Sequence, residues 1–223
     1  MMITRNSMAF IATVVVAAMA LAAAYLATHL APGTRLPVHW NYRGNADAFS
    51  SAWTALLLPL LVTVPTSILF YMLPGIEPRA DNLGRSRGIY LALWASLLLL
   101  GLFYQVAVVA TALHWQVQTA DFILAGVGLL FVLVGNQLGK SRSMKRIGLR
   151  TRWTLASENV WVRTHRLSGK LMVAGGLLVA LSAIAQMSVT ISLVLLLATT
   201  LLAILLPAGL SFAFFRAEER PGV

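Results

Sequence analysis

The hydrophobic positions of this chain fall into six long blocks. Each block is apolar for roughly 20 residues, the length that a helix needs to cross a bilayer core about 30 Å thick. Backbone groups cannot stay unpaired in lipid, and no block has the alternation of a barrel strand, so each block predicts a helix. The predicted fold class is therefore all-α, a polytopic membrane protein with a bundle of six transmembrane helices. The blocks cover residues 8–30, 53–73, 88–113, 119–139, 169–186 and 189–215.

Two of the blocks need a closer look. The first follows Arg5 and is rich in alanine, as a signal peptide can be. Its apolar run of roughly 22 residues exceeds the 7–15 of a signal-peptide core, so we interpret it as a retained helix. The last two blocks are separated by a very short turn near Met187 and Ser188, which predicts a tight antiparallel hairpin.

Basic residues lie almost entirely in alternate connecting segments. With a cytoplasmic amino terminus, fifteen of the seventeen lysines and arginines fall on the cytoplasmic side, and only Arg35 and Arg43 fall outside. Cytoplasmic loops of membrane proteins carry this excess of positive charge. Both termini are therefore predicted to be cytoplasmic. The net charge of +10 is explained by this topology, and we predict no direct nucleic-acid partner.

The composition narrows the chemistry. Hydrophobic residues make up 59% of the 223 residues and charged residues 11%, against roughly 25% charged residues in a soluble domain. There is no cysteine, which excludes disulfides, thiolate metal sites and a cysteine nucleophile. The most central polar residue of the six blocks is Gln105. No block has a charged residue near its middle, where ion-driven transporters normally carry one. Zincin, nucleophile-elbow and phosphate-loop motifs are missing. We predict neither an enzyme nor a cofactor.

The inner loop, residues 140–168, is strongly basic. Nine basic residues lie between Lys140 and Lys170 against one acid, Glu158, so the loop should be drawn to anionic lipid. In the second half of this loop, Ser157 or Thr154 is suited to cap a helix. On a helical wheel, Glu158, Trp161, Val162 and His165 share one face, and Asn159, Arg163, Arg166 and Lys170 share another. Glu158 and His165 could share a polar site, or His165 could simply bond a carbonyl group or another helix end.

The stretch "GNQLGKSRSMKRIGLRTRWTLASENVWVRTHRLSGK", residues 135–170, resembles the signature of the SdpI family of bacterial membrane proteins. Arg152 stands where that family usually has proline. The resemblance implies a multi-pass protein of the bacterial cytoplasmic membrane. The residues that match the family pattern are Gly135, Asn136, Gly139, Lys140, Gly148, Arg150, Thr151, Trp153, Thr154, Leu155, Glu158, Val160, Trp161, Thr164, His165 and Gly169.

The outer loop, residues 31–52, contains "LPVHWNYRGNADAF". Pro37 favours an extended backbone, and the stretch around Gly44 has turn chemistry. Through Pro37, His39, Gly44 and Asp47 the loop resembles a small amino-terminal domain, DUF1648, that often accompanies SdpI-family proteins. We therefore divide the chain into a DUF1648-like three-helix part, residues 1–113, and an SdpI-like three-helix part, residues 114–223.

Several ligand-type side chains fall on the outer side by this topology. They are His29, His39, His114, Asp47 and Asp121. Their spacing does not demand zinc, and such residues more often cap helices, so no metal is predicted. Trp40, Trp53 and Trp115 are expected to form the outer aromatic belt.

The family resemblance implies immunity to a secreted, membrane-active peptide toxin, and in its best-known member also the sequestration of a cytoplasmic repressor. Expected partners are thus membrane lipid, the toxin and a repressor. The expected outer site consists of His39, Trp40, Gly44 and Asp47. The expected inner site consists of Asn136, Arg150, Thr151, Trp153, Glu158, Trp161, His165 and Arg166.

Two other functions remain open at this stage. A small-solute or lipid transporter would need a polar cavity around Gln105, Asn136 and Gln137. An enzyme would need Glu158 and His165 to line a cavity that a substrate can enter.

Overall fold

The computed structural model describes residues 4–115 and 118–219, and it is built almost entirely of helices. Six helices are long and apolar enough to cross a membrane, which confirms the six predicted spans. Arg220, counted above on the cytoplasmic side, lies outside the described residues, as do residues 116–117 of the second outer loop. The elements are α1 (Arg5–His29), β1 (Arg35–Trp40), β2 (Ala46–Ser51), α2 (Ala52–Ile76), α3 (Ala80–Arg85), α4 (Arg87–Ala112), α5 (Thr119–Leu138), α6 (Arg152–Ala156), α7 (Glu158–Ile184) and α8 (Val189–Glu218).

The fifth span differs from its prediction. The sequence places its start at residue 169, but α7 begins at Glu158. Ser157 caps it, because its hydroxyl accepts a hydrogen bond from the Val160 amide at 3.3 Å. The extension is more polar than the rest of α7, but it buries Trp161 and His165 completely, and this packing continues the helix beyond its apolar block. The inner loop is thereby shortened to residues 139–157.

A small β-hairpin is the second departure from the purely helical prediction. Strands β1 and β2 pair antiparallel, with Arg35 opposite Ser51 and Trp40 opposite Ala46. The turn between them is held by Asn41, whose side-chain oxygen accepts from the amides of Arg43 and Asn45 at 2.9 and 3.1 Å. Turn residues were recognised in the sequence, but the flanking segments are too short to show a strand period.

Helix α4 lies at the centre of the bundle. It packs against α1 and α2 on one side and against α5 on the other, while α7 packs between α5 and α8. One buried apolar cluster joins α1, α2, α4 and α7 through residues such as Phe70, Trp94 and Trp161. A second cluster joins α1, α2, α4 and β1 through residues such as Leu36 and Val108. The spanning windows of α1 and α8 are only 17% buried, so these two helices form the lipid-facing perimeter.

The closest approach in the bundle is between α5 and α7. Gly128 and Gly135 on α5 face Gly176 and Gly169 on α7, and both pairs have a spacing of seven residues. A Cβ atom added to Gly135 would lie 2.8 Å from the Gly169 carbonyl oxygen, and one added to Gly128 would lie 2.7 Å from that of Gly176. Glycine here lets two backbones touch, which is how helices associate in lipid without a hydrophobic driving force. We call these four residues the glycine seam.

Replacing Gly135 by alanine should therefore separate α5 from α7. We expect a loss of about 1–3 kcal/mol in the free energy of unfolding, because the new methyl group meets backbone rather than a flexible side chain. Thermal unfolding of the purified protein in detergent measures this loss. Gly209→Ala on α8 is the matched control, since an added Cβ meets nothing within 4 Å there. Equal stability of the two variants would contradict the importance of the seam.

The predicted orientation can be tested directly because the chain has no cysteine. Ala48, in β2, and Lys145, in the loop after α5, are both exposed and lie at opposite ends of the bundle. In intact cells a membrane-impermeant maleimide should label Ala48→Cys. It should label Lys145→Cys only after the membrane is permeabilised. The reverse pattern would place both termini outside.

Candidate functional site

A buried carboxylate organises the end of the bundle where α2 and α5 finish. Glu77, only 5% exposed, follows directly after α2. Its Oε1 accepts from the amides of Arg79 and Lys145 at 3.0 and 2.9 Å, and its Oε2 accepts from the Arg146 amide at 2.8 Å. Such charge-assisted bonds are shorter and stronger than neutral ones. They fold the basic stretch after α5 over the end of α2.

Neighbouring residues extend this network to α7. The Arg79 guanidinium donates to the Ser143 hydroxyl, and also to the Leu155 carbonyl at 3.1 Å. Asn82 donates to the Ser143 carbonyl at 2.8 Å, and the Ser143 amide donates to Glu158 Oε2 at 3.2 Å. All the polar groups of Ser143 are thus bonded to other segments. We call this assembly, residues 77–86 and 139–157 with the first two turns of α7, the inner cap.

Sequence reasoning missed Glu77, Arg79, Asn82 and Ser143. One signal was available for Glu77. It is one of only seven acidic residues, and it stands beside Pro78 at the exit of an apolar block. The other three are ordinary polar residues of the connecting segments, and their roles appear only when distant segments meet.

His165 and Trp161 form the buried centre of the inner cap. Their rings stack with centroids 3.9 Å apart. His165 Nδ1 donates to the Trp161 carbonyl at 2.8 Å, and Nε2 accepts from the Leu149 amide at 2.9 Å. A carbonyl can only accept and an amide can only donate, so the ring is held as the neutral tautomer with its proton on Nδ1. The sequence left open whether His165 bonds a carbonyl group or shares a polar site, and the geometry supports the first.

Gly148 closes over these two rings. Its φ of +110° lies in a region that other residues rarely adopt. A Cβ atom there would lie 2.6 Å from Trp161 Cη2 and 2.7 Å from His165 Nε2. Glycine at position 148 thereby lets the Leu149 amide reach the histidine.

The short helix α6 joins the inner cap to α8. Thr151 and Thr154 form a reciprocal capping box at its start, and the Thr154 hydroxyl donates to the Leu149 carbonyl at 2.8 Å. The Thr151 hydroxyl lies 3.0 Å from that of Ser211 on α8. The ring of Trp153 lies 5.0 Å from that of Phe212. The cap of α6 is therefore Thr151, and α8 supports the far side of the inner cap.

Glu158 and His165 do not form the shared site that was considered. Glu158 is exposed and bonds the Ser143 amide, with Arg142 Nη1 at 3.6 Å, whereas the His165 ring is fully buried and already has a partner on each nitrogen. Arg150, Arg166 and Asn136 are exposed and lie apart from the histidine. The residues expected at the inner site thus divide into a buried framework and a set of exposed polar and basic side chains.

The outer residues come together on the hairpin. His39 Nδ1 lies 2.6 Å from Asp47 Oδ1, and the two side chains are 67% and 42% exposed. Trp40 packs edge-on against Tyr104 of α4, with ring centroids 5.9 Å apart. Gly44, with a φ of +84°, forms the turn. His39 and Asp47 therefore form one exposed polar pair above a half-buried tryptophan.

The hairpin lies across the ends of α4 and α8 on its side of the bundle. Near its base, the Tyr104 hydroxyl donates to the Val38 carbonyl at 3.0 Å. At its tip, the Thr190 hydroxyl of α8 donates to the Tyr42 carbonyl at 3.1 Å. A groove of about 430 Å³ opens beside its base. Its apolar walls include Trp40 and Phe49, and His114 also lines it.

The other outer ligand-type side chains do not join this pair. His29 Nδ1 bonds the Tyr25 carbonyl at 2.7 Å. Within residues 4–115 and 118–219, no three histidine, aspartate or glutamate side chains are grouped so that they could hold a metal ion.

The fold and these two surfaces define a multi-pass helical membrane protein with a structured assembly at each end of its bundle. Residues 140–211 match the SdpI/YfhL protein family, and residues 13–63 match a domain of unknown function, DUF1648. Over 145 residues, 65% of this chain and 67% of the relative, the chain is 26% identical to the immunity protein SdpI of Bacillus subtilis (strain 168). The match over residues 140–211 is to the same family that the sequence motifs resemble. No solved structure matches the chain.

The two matched segments contain most of the expected site residues. The first covers α6, α7 and most of α8, and the second covers the hairpin. Asn136 precedes the first segment, and Glu77 lies between the two. The buried carboxylate that holds the inner cap therefore belongs to the connection between the matched regions.

Replacing Glu77 by glutamine should loosen the inner cap. The amide keeps one acceptor oxygen but turns an NH₂ group toward backbone donors, so we expect a loss of about 2 kcal/mol in the free energy of unfolding. Limited proteolysis at Lys145 and Arg146, followed by mass spectrometry, should show faster cleavage. Asp81→Asn, an exposed neighbour, is the control. Unchanged cleavage of the Glu77 variant would show that the bonds to Glu77 do not hold this stretch.

Proposed function

We propose that this protein is an immunity protein that protects a bacterium against a secreted, membrane-active peptide toxin. The family and the name of the Bacillus subtilis relative support this function. The observation that carries it for this chain is the hairpin, which is braced against both α4 and α8 and presents His39, Asp47 and the edge of an apolar groove outward. A peptide arriving from outside would meet this surface before it reaches the bilayer.

The architecture also supports a signalling role. Helix α8 runs without a break from Thr190, bonded to the hairpin tip, to Ser211 and Phe212, which contact α6 of the inner cap. A toxin that binds one conformer of the hairpin more tightly would shift the population of both ends of this helix. The exposed cations Arg150, Arg152 and Arg166 would then present an altered surface to an acidic cytoplasmic repressor.

A transporter remains the alternative, and one observation favours it. Gln105 is buried, and its side-chain amide makes no hydrogen bond within the described part of the chain. An amide without protein partners is what a residue lining a hydrated path would show. The other residues of that hypothesis lie far away. Gln137 packs at the level of Gly88, which is 17 residues from Gln105 and thus about 25 Å along α4. These polar groups do not form one cavity, so the transporter hypothesis has less support.

The toxin hypothesis is tested by membrane potential in sensitive cells that express this protein. The challenge is a membrane-collapsing peptide from the source organism. Wild type should hold its potential, and His39→Ala should lose protection because it removes the exposed pair with Asp47. His29→Ala is the matched control, since that outer histidine bonds only its own helix. If the membrane potential of cells expressing wild type collapses with every such peptide that the source organism encodes, the immunity function is rejected.

Signalling has a separate readout. An environment-sensitive fluorophore on Lys145→Cys should report toxin addition in otherwise wild-type protein. Ser211→Ala should weaken that response while protection is kept, because it removes the hydroxyl contact with Thr151 and leaves the cap of α6 in place. Thr200→Val, which changes a hydroxyl that bonds only within α8, is the control. No response in the labelled wild-type background would contradict transmission through α8.

A further inference from the structure

A second outer feature, separate from the hairpin surface, is a polar pocket between the start of α5 and the end of α7. Its volume is about 210 Å³. The polar part of its lining comes from Gln118, Asp121 and Gln186, and apolar walls come from residues such as Phe122 and Ile184. Nothing in the proposed function uses this pocket.

Asp121 lacks the partners that a buried carboxylate needs. Asp121 is only 8% exposed, and its buried Oδ1 atom receives no hydrogen bond within residues 4–115 and 118–219. An unpaired buried charge is costly, and the start of α5 offsets only about 0.3–1 kcal/mol of that cost through the helix dipole. The nearby cation of the hairpin tip, Arg43, is instead bonded to Tyr42 at 3.0 Å and lies over its ring.

The size and walls of the pocket indicate the chemical class of partner that would fit it. The pocket is several times the roughly 30 Å³ that one water molecule occupies in the liquid. A bare hard cation such as Ca²⁺ takes 6–8 oxygen ligands, and only three side chains of the lining carry oxygen. A carboxylate and two amides at one part of an otherwise apolar space suit an alkyl chain that ends in an ammonium group.

The position of the pocket indicates where such a group would come from. Gly44, at the hairpin tip, is packed so closely that an added Cβ would lie 2.8 Å from Val189 Cγ2 and 3.7 Å from Ala120 Cβ. Ala120 immediately precedes Asp121, and Val189 begins α8 three residues after Gln186. The pocket is thus beside the hairpin tip, at the outer end of the bundle.

We propose that this pocket binds a primary alkylammonium group, such as a lysine side chain or the amino terminus of a peptide, with Asp121 as its counter-ion. Gln118 and Gln186 offer the additional acceptors that three N–H donors require. The apolar walls cover the methylene groups. The site does not depend on the immunity function, since any outer ligand with this group would fit it.

The test uses the full chain in lipid nanodiscs and n-butylammonium chloride as the probe. The unfolding temperature of wild type should rise as the probe is added. For Asp121→Asn, the dissociation constant of the probe obtained from the same titration should be at least tenfold higher. Without probe, the variant should unfold at the wild-type temperature or above, because it removes an unpaired buried charge. Asp81→Asn, an exposed carboxylate at the other end of the bundle, should respond to the probe like wild type.

Four outcomes would overturn the proposal. n-Butanol could stabilise wild type as well as the ammonium probe, which would indicate an apolar groove only. Calcium chloride at equal ionic strength could give the larger shift, which would indicate a metal site. Asp121→Asn could bind the probe like wild type. Asp121→Asn could also unfold earlier without probe, which would make the carboxylate a structural partner of α5. None of these assays contains a toxin, so the immunity function is judged independently.

Discussion

The contact of two helix backbones along the glycine seam is the constraint on which the rest of this structure depends. Apolar side chains gain nothing by leaving lipid for one another, so α5 and α7 associate through close packing. Gly135 lies against Gly169, and one turn further on Gly139 lies against the backbone of Arg166. The seam therefore continues past the bilayer block and holds the polar first turns of α7 beside the basic loop. Trp161 and His165 are buried there as a consequence.

In the loop part of the inner cap, backbone amide and carbonyl groups form hydrogen bonds with side chains instead of the repeated backbone hydrogen bonds of a helix or sheet. Glu77 receives three amides, His165 receives one, and Ser143 is bonded through its amide, carbonyl and hydroxyl. These acceptors and donors come from segments far apart in sequence. The conformation of the loop is therefore fixed by its hydrogen bonds to the ends of α2, α4 and α7. Its surplus of arginine stays on the surface, where it can meet lipid headgroups or an acidic protein.

The two ends of the molecule are built on different physical principles. The outer end uses a hairpin pinned at its base by Tyr104 and at its tip by Thr190, so most of its strand edges and its His39–Asp47 pair stay exposed. The inner end buries its central residues. Helix α8 packs along α7 over much of its length, and it also contacts the hairpin tip near one end and α6 near the other. It therefore touches the assemblies at both ends of the bundle.

Block length determined the six helices, and the SdpI-like motif pointed to Gly148, Trp161 and His165 of the inner cap, because hydrophobicity and local motifs are properties of neighbouring residues. Turn chemistry around Gly44 was also local, and so was the cap at Ser157. Tertiary structure alone decided that the helix capped by Ser157 is continuous with the fifth span, that His165 faces Leu149 and not Glu158, and that Glu77 holds the basic loop. Each of these depends on hydrogen bonds between segments that only packing brings together, and one sequence does not encode such distances in any local pattern.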